Sequence, residues 1–441
     1  MIYKDCDIRG IYGEELKLDE VRLIGRALGT MLGGRNIIVC GDVRVSTPDI
    51  KKELTEGLLE TGADIIDIGI VPTPTAYFAK SEECLGAYAL AIVTASHNPA
   101  KYNGIKLMMG SLPPTPDDIG KIASLVKSEE FAFSQGSLIT LDVREAYEKK
   151  LRELTGSVGR KLKVVLDIGN GTTAGIAKKI YESCGYEVCE LYPQPDGTFP
   201  NRNPNPADFK NLDGICRKVT EVNADFGAAF DGDGDRAVFI DDKGRPVINE
   251  KALIMLTKLK SVGCAPGFSV VYDQKCSHIV PDAVIKFGGK PILERSGHAF
   301  IKKKFLENSS VLAGEISGHF FFRELGHDDG IYAGLCIGKF ISESGKKLSE
   351  LADGIPTPHI SPDLRYPVPY ERMDEVLGRI RDDYAGYPVS TYDGVRVELE
   401  DGWFLVRKSV TAQEMTLRIE ADSEAKLAQI REKLESRYFS E

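Results

Sequence analysis

The chain has 441 residues, 42% of them hydrophobic and 28% charged, with a formal net charge of −10. That length predicts roughly two to four domains with ample core, and that composition a globular chain. An acidic balance without a basic block excludes nucleic acid as a partner, and no apolar run reaches the roughly 18 residues of a membrane span. An anionic substrate would need a local cluster of Arg, Lys and His working against the overall field. The stretch from Met1 to Asp7 has no apolar signal region. Nine cysteines, an odd count without a Cys-x-x-Cys pair, predict reduced thiols in the cytoplasm and no disulfide or zinc framework.

Taken in order, three stretches repeat one plan. The runs 36–42, 163–167 and 269–273 read as strands, and each ends in an aspartate: Asp42, Asp167 and Asp273. A helical pattern closed by glycine follows each. In the first, Ser46 is the expected N-cap, Pro48 sits at the start and Gly62 stops the helix. The second runs from Thr172 and Thr173 to Gly185, the third from Ser277 to Gly288 and Gly289. Each unit continues into a further strand, at 64–68, 187–191 and 291–294, and then into an apolar run with a polar loop at 94–99, 231–236 and 314–319. This alternation predicts α/β: three related mixed α/β domains with mostly parallel sheets, their loops aimed into one central cleft. From about residue 357 the repeat is absent, and the rest reads as a smaller C-terminal α+β domain. Proline-containing or charged stretches near 137–144, 241–246 and 353–358 are the candidate boundaries, giving domains 1–143, 144–244, 245–356 and 357–441.

The polar loops carry the chemistry. Thr94-Ala95-Ser96-His97-Asn98-Pro99 follows the apolar run 87–93, and carboxyl ends of strands are where α/β sheets bind ligands. Ser96 is therefore the candidate nucleophile or phosphoryl carrier. His97 does not make it a Ser-His hydrolase, because adjacent residues rarely meet in triad geometry and no Gly-x-Ser-x-Gly turn is present. Lys106 would serve as acid or base if a positive neighbourhood lowered its pKa. Asp231-Gly232-Asp233-Gly234-Asp235-Arg236 places three carboxylates on alternate residues with glycines between them, so their oxygens can converge on a hard cation such as Mg²⁺. An EF-hand loop is excluded by Arg236 at its sixth position and Asp242 at its twelfth. In the third unit Lys275 and His298 stand just past strands, and Glu315, Ser317 and His319 alternate as on an extended backbone. Glu and Ser together suit a pair of neighbouring sugar hydroxyls. Arg407, Ser409 and Thr411, again alternate, suit a phosphate.

Together these motifs, with the Asp7-Ile8-Arg9-Gly10 start and Asp328-Asp329-Gly330-Ile331-Tyr332, resemble the α-D-phosphohexomutase family along essentially the whole chain, and most closely its phosphomannomutase/phosphoglucomutase branch. The resemblance implies a phosphohexomutase that interconverts hexose 1- and 6-phosphates of mannose or glucose. It implies Ser96 as the phosphoserine, Asp231, Asp233 and Asp235 with the Ser96 phosphate as Mg²⁺ ligands, and a hexose 1,6-bisphosphate as intermediate and activator. Arg9 and Lys106 would serve proton transfer, with His97 and Arg236 lining the same centre. Lys275 and His298 would contact sugar and phosphate, Glu315 and Ser317 would read two ring hydroxyls, and Arg407, Ser409 and Thr411 would hold the distal phosphate. His319 belongs by its place in the loop to the same binding set. The family usually has Asn between that Ser and Thr, where this chain has Val410, and Ala412 and Gln413 replace a common Glu-Pro or Thr-Pro pair. The alternatives are a phosphoglucosamine mutase, which usually carries Gln where Ile316 stands, and a non-catalytic sugar-phosphate binding protein.

Overall fold

Runs that are apolar at every position become the centre of each sheet, because only there are both faces covered. Ile37–Gly41 and Ala89–Val93 are buried throughout and pair in parallel. The computed structural model, which describes residues 2–82, 85–157, 159–409 and 413–439, arranges its strands in four sheets. In the first, Ile65–Ile70 and Leu138–Thr140 extend that pair in parallel, and Tyr102–Met109 and Asp7–Ile11 add antiparallel strands on the other side. In the second sheet the middle strand is Phe226–Phe230; Lys163–Asp167 and then Glu187–Leu191 follow it in parallel, and Ala237–Ile240 and Pro246–Val247 continue it antiparallel on the other side. In the third the middle strand is Leu312–Gly314; Ser269–Asp273 and then Lys290–Glu294 follow it in parallel, and Phe320–Phe322 and His327–Asp328 continue it antiparallel on the other side. Pairing is mostly parallel in the first sheet and evenly mixed in the other two. The antiparallel end has a local cause: each polar loop turns the chain straight back, so the next strand must run against the last.

The first helix begins directly after Ser46, whereas those of the second and third units begin later than their capping residues suggest. Thr47–Leu59 has Ser46 before it, but the Ser46 side chain makes no cap. It accepts from Asn103 Nδ2 at 2.9 Å, while Thr47 Oγ1 donates to Asp42 at 2.7 Å. Hydroxyls expected to start the helix are instead used by the network under the serine loop. In the second unit the helix is only Ala177–Ser183, and in the third it is Ile279–Lys286.

Residues 241–246, read as a possible boundary, form a tight hairpin turn in which Gly244 N donates to Asp241 O at 2.9 Å. One apolar core, running from Tyr147 to Ala352 with Phe78 of the first unit added, joins the second and third sheets, whereas the first sheet and the C-terminal sheet have further cores of their own. The helix Gly330–Ser344 lies in the shared core, where a Cβ at Gly334 or Gly338 would overlap the hydroxyls of Tyr181 and Tyr186. The C-terminal sheet is antiparallel around Gly402–Lys408 and Glu414–Ala421, covered by the helices Tyr370–Asp383 and Glu424–Leu434. Among the described residues no helix is long and apolar enough to cross a membrane.

Candidate active site

Ser96 stands three residues past the buried strand Ala89–Val93, in the turn that leads into Tyr102–Met109. Its backbone is left-handed, with φ 49°, a conformation that costs a non-glycine residue about 1 kcal/mol or more and points to an imposed geometry. Its Oγ donates to Asp231 Oδ2 at 2.7 Å and lies 3.3 Å from His97 Nδ1. Burial and the nearby charges of Arg236 and Arg9 hold the His97 pKa well below the ordinary histidine value, so its ring is neutral.

Asp231, Asp233 and Asp235 are all buried, and each offers an oxygen within 4.8 Å of the others. Burial and the two neighbouring carboxylates raise the Asp231 pKa well above its ordinary value. Lys106 relieves this crowding, with Nζ 2.8 Å from Asp233 Oδ2 and 2.5 Å from Asp235 Oδ2. The sequence reading allowed a positive neighbourhood that would lower the Lys106 pKa, and the structure reverses it. Burial disfavours the ammonium, but Asp233 and Asp235 outweigh burial and raise its pKa well above the ordinary value. Asp233 Oδ1 and Asp235 Oδ1 remain buried without a hydrogen-bond partner. Two bare carboxylate oxygens beside a third carboxylate and a seryl oxygen form a donor set that fits a hard divalent cation such as Mg²⁺.

The second loop meets the third unit through Arg236. Its Nε donates to His319 Nε2 at 2.9 Å, and its backbone bridges to His319. Because arginine can only donate, His319 carries its proton on Nδ1 and gives it to Asp328 Oδ2 at 2.7 Å. His298 Nε2 lies 2.9 Å from the other Asp328 oxygen. Asp235, His298, His319 and Asp328 also have the spacing of a metal cage. A metal on His319 Nδ1 would leave a proton on Nε2 facing the Arg236 donor, so the arrangement is a hydrogen-bond chain and not a second cation site.

Glu315, Ser317 and His319 do not share one extended face. Residues 315–319 form a tight loop in which Gly318 N donates to Glu315 O at 3.1 Å and Glu315 N to His319 O at 3.0 Å. The loop still joins Ser317 Oγ to Glu315 Oε2 at 2.8 Å and sends His319 toward Arg236. Burial and then Asp273 push the Glu315 carboxyl up to about 7, and its Oε1 has no partner.

A cavity of about 330 Å³ gathers Arg9, Ser96, His97, Lys106, Arg236, His298 and His319. Arg9 reaches it while bound to Asp7 Oδ2 at 2.6 Å. Lys275, Glu315, Ser317, Arg407 and Ser409 do not line this cavity. Lys275 Nζ sits 3.0 Å from both oxygens of Asp363, and Arg407 Nη2 is 2.8 Å from Asp393 Oδ2, so both cations are held by carboxylates of the C-terminal domain. Ser409 N donates to Glu414 O at 2.8 Å. Thr411, with Val410 and Ala412, lies outside the described residues. Sequence reasoning named Asp328 within a motif but gave it no role, and it missed Asp363, Asp393 and Arg44, whose guanidinium underlies the serine loop. Asp42, Asp167 and Asp273 carried a visible signal as aspartates closing the first strand of each unit, and Asp328 as part of the 328–332 motif.

Comparison with known proteins extends the likeness to the whole chain. The descriptions "Phosphoglucomutase/phosphomannomutase, alpha/beta/alpha domain I", "domain II" and "domain III" match residues 1–133, 145–244 and 249–359, and the C-terminal domain of that family matches 365–436. A phosphomannomutase/phosphoglucomutase of Pseudomonas syringae is 34% identical, covering 97% of this chain and 93% of its own. A phosphoglucomutase of Neisseria meningitidis is also 34% identical, covering 97% and 95%. A crystal structure of a phosphoglucomutase/phosphomannomutase family protein from Burkholderia thailandensis superposes with a TM-score of 0.90 at 35% identity, covering 98% of this chain and 95% of the other. With its four domains matched in order and its serine loop, carboxylate loop and loop 314–319 brought together, the chain belongs to the phosphoglucomutase/phosphomannomutase family of α-D-phosphohexomutases and is an isomerase of that class.

Proposed function

We propose that the enzyme interconverts hexose 1-phosphates and hexose 6-phosphates, of both glucose and mannose, with Ser96 as the phosphoryl carrier. The observation that carries this reading is the Ser96 Oγ, 2.7 Å from Asp231, on a cavity walled by Arg9, Lys106, Arg236 and three histidines. An acidic protein thus concentrates its donors and cations where a sugar phosphate would lie. Phosphoserine gives its phosphoryl to the free sugar hydroxyl: the bond from phosphorus to Ser96 Oγ breaks and a bond to the sugar oxygen forms. Lys106, which Asp233 and Asp235 hold as an ammonium, gives a proton to the departing Ser96 Oγ and regains one from the sugar hydroxyl, with Arg9 beside it. The resulting 1,6-bisphosphate turns over, and the opposite phosphoryl returns to Ser96.

Such a transfer depends on positioning and charge neutralisation. Asp231, Asp233 and Asp235, with the Ser96 phosphate, would hold Mg²⁺, which when bound neutralises charge on the transferring group. Arg236 and His319 fix each other beside that centre, and Glu315 with Ser317 offers one donor and acceptor pair to adjacent ring hydroxyls. Lys275, Arg407, Ser409 and Thr411 would take the distal phosphate, and hexose 1,6-bisphosphate would act as activator. Unpaired described cysteines support a cytoplasmic location.

Intact-mass and peptide mass spectrometry of the purified protein should find phosphate on Ser96, and Ser96→Ala should stay folded without turnover. Coupled assays with glucose, mannose and glucosamine 1-phosphates should show the first two as substrates. A fully active Ser96→Ala enzyme would overturn the carrier assignment, and turnover confined to the glucosamine substrate would overturn the specificity.

A further inference from the structure

A buried arginine stands behind two of the active loops, and neither arginine lines the cavity. Arg44 is 1% exposed, and all five of its guanidinium N–H groups are used. Nε donates to Asp42 Oδ2 at 3.0 Å, and Nη1 donates to the carbonyls of Pro99 at 2.8 Å and Tyr102 at 3.0 Å. Nη2 donates to the carbonyls of Ser96 at 2.8 Å and Asn98 at 2.6 Å. Four carbonyls of one short loop face a single planar cation, which holds only if the loop curves around it. Ser96 itself pays for that curvature with its left-handed φ of 49°. The ring centre of Phe199, from the second unit, lies 5.1 Å from the guanidinium carbon. Asp42 also accepts from Thr94 Oγ1 at 2.8 Å, and Thr94 Oγ1 in turn accepts from the Ser96 amide at 2.9 Å.

The second unit repeats the device. Arg202 Nε donates to Asp167 Oδ2 at 2.8 Å, and its Nη2 donates at 2.6 Å to the carbonyl of Phe230, the residue before Asp231. Asp42 and Asp167 close equivalent strands of the repeat. The same pairing of strand-end aspartate and buried arginine therefore underlies the serine loop and the carboxylate loop, whose side chains must meet.

We propose that Arg44 is a positioning residue for phosphoryl transfer: its fork sets the curvature of residues 96–102 and so aims Ser96 Oγ at Asp231. This rests on Ser96 as the phosphoryl carrier. The fork is the active feature, since lysine keeps the charge but cannot offer five donors in one plane.

Arg44→Lys is therefore the test. Its kcat should fall about 100-fold, the scale of a misplaced reacting group, while the KM for hexose 1-phosphate stays within about threefold. Phosphorylation of Ser96 by added hexose 1,6-bisphosphate, followed by mass spectrometry, should slow by the same factor. Hydrogen exchange should speed up at the amides of residues 95–102 and stay unchanged in the strand 37–41. A kcat within threefold of the parent, a loss confined to KM, or unchanged exchange in the loop each overturns the proposal. If Arg44→Lys does not fold, Asp42→Asn, which loosens the anchor of Nε, should move the same readouts in the same direction, and no movement overturns it. Ser96→Ala separates the two ideas. Turnover in that variant removes the carrier assignment, and with it the proposed role in transfer, whereas an inactive Ser96→Ala beside a normal Arg44→Lys removes only the role of Arg44.

Discussion

Glu315 holds a carboxyl that burial and Asp273 push up to about 7, so in the empty site it keeps its proton over much of the acidic and neutral range. The sign of the consequence follows. A carboxyl whose folded pKa lies above its ordinary 4.5 favours folding below 4.5, and that contribution is lost as pH rises through about 7. Glu315→Gln never ionises, so relative to the parent it should gain stability between pH 5 and 8, by up to about 3 kcal/mol. Urea unfolding at the two pH values decides this, and parallel pH profiles for parent and variant would refute the assignment. Lys106 is the opposite case, an ammonium that competes with any cation for Asp233 and Asp235. Removing it leaves buried carboxylates without a partner, a strongly unfavourable state that a metal ion would relieve. Lys106→Met should bind Mg²⁺ about tenfold more tightly by calorimetry and lose about 100-fold in kcat, since general acid–base help is worth roughly that much. Weaker Mg²⁺ binding would count against the competition.

At the scale of elements, the strand-ending aspartates and the polar loops could be read directly, because β-strand runs that are apolar throughout leave their polar ends exposed to view. Lys163–Asp167, Glu187–Leu191 and Ser269–Asp273 fall where their residues placed them. Helix starts were less legible in the second and third units, where the helices begin at Ala177 and Ile279, past Thr173 and Ser277. Arg44 gave no signal either. Its partners are mainly backbone carbonyls, which every residue type offers, so nothing in the sequence marks the loop it holds. The loop after Gly314 shows a further limit. Alternation of Glu315, Ser317 and His319 suggested an extended face, but Gly318, at φ 96°, bends the loop into contact with the second unit. A Cβ there would lie 2.8 Å from Ala237 O, beside the hydrogen bond from Ala237 N to Gly318 O at 3.1 Å. Gly318→Ala should therefore cost about 1–3 kcal/mol and separate Arg236 from His319. Thermal melting with parallel assays checks it: the variant should melt several degrees lower and turn over more slowly, and parent-like values for both would exclude the strain.

For the whole molecule, the telling contacts lie between the third unit and the C-terminal domain. They are polar: Ser277 Oγ to Glu420 at 2.7 Å, Arg418 to Glu250 at 3.0 Å, Gln274 Nε2 to Asp393 Oδ2 at 2.9 Å, and Lys275 to Asp363. Such seams permit relative movement of domains more readily than an apolar core does, in contrast to the continuous core shared by the second and third units. Asp393 has a particular place in this seam, because its carboxylate holds Arg407 at 2.8 Å where the proposed distal phosphate would bind. Arg407 Nε is buried and has no partner, so the guanidinium retains an unused donor for an incoming anion. On this geometry Asp393 competes with phosphate for Arg407. Asp393→Asn keeps an acceptor for Gln274 but removes the competing charge. It should lower the KM for hexose 1-phosphate about threefold at low ionic strength, with the difference shrinking as salt screens the pair. Arg407→Ala should lower kcat/KM by about 100-fold or more, in keeping with loss of a charge-assisted bidentate contact. In the Arg407→Ala background, Asp393→Asn should have no further effect on KM, because the group it competes for is gone. If Asp393→Asn alone raises KM threefold or more, Asp393 orients Arg407 for phosphate instead of occupying it, and the competition is disproved.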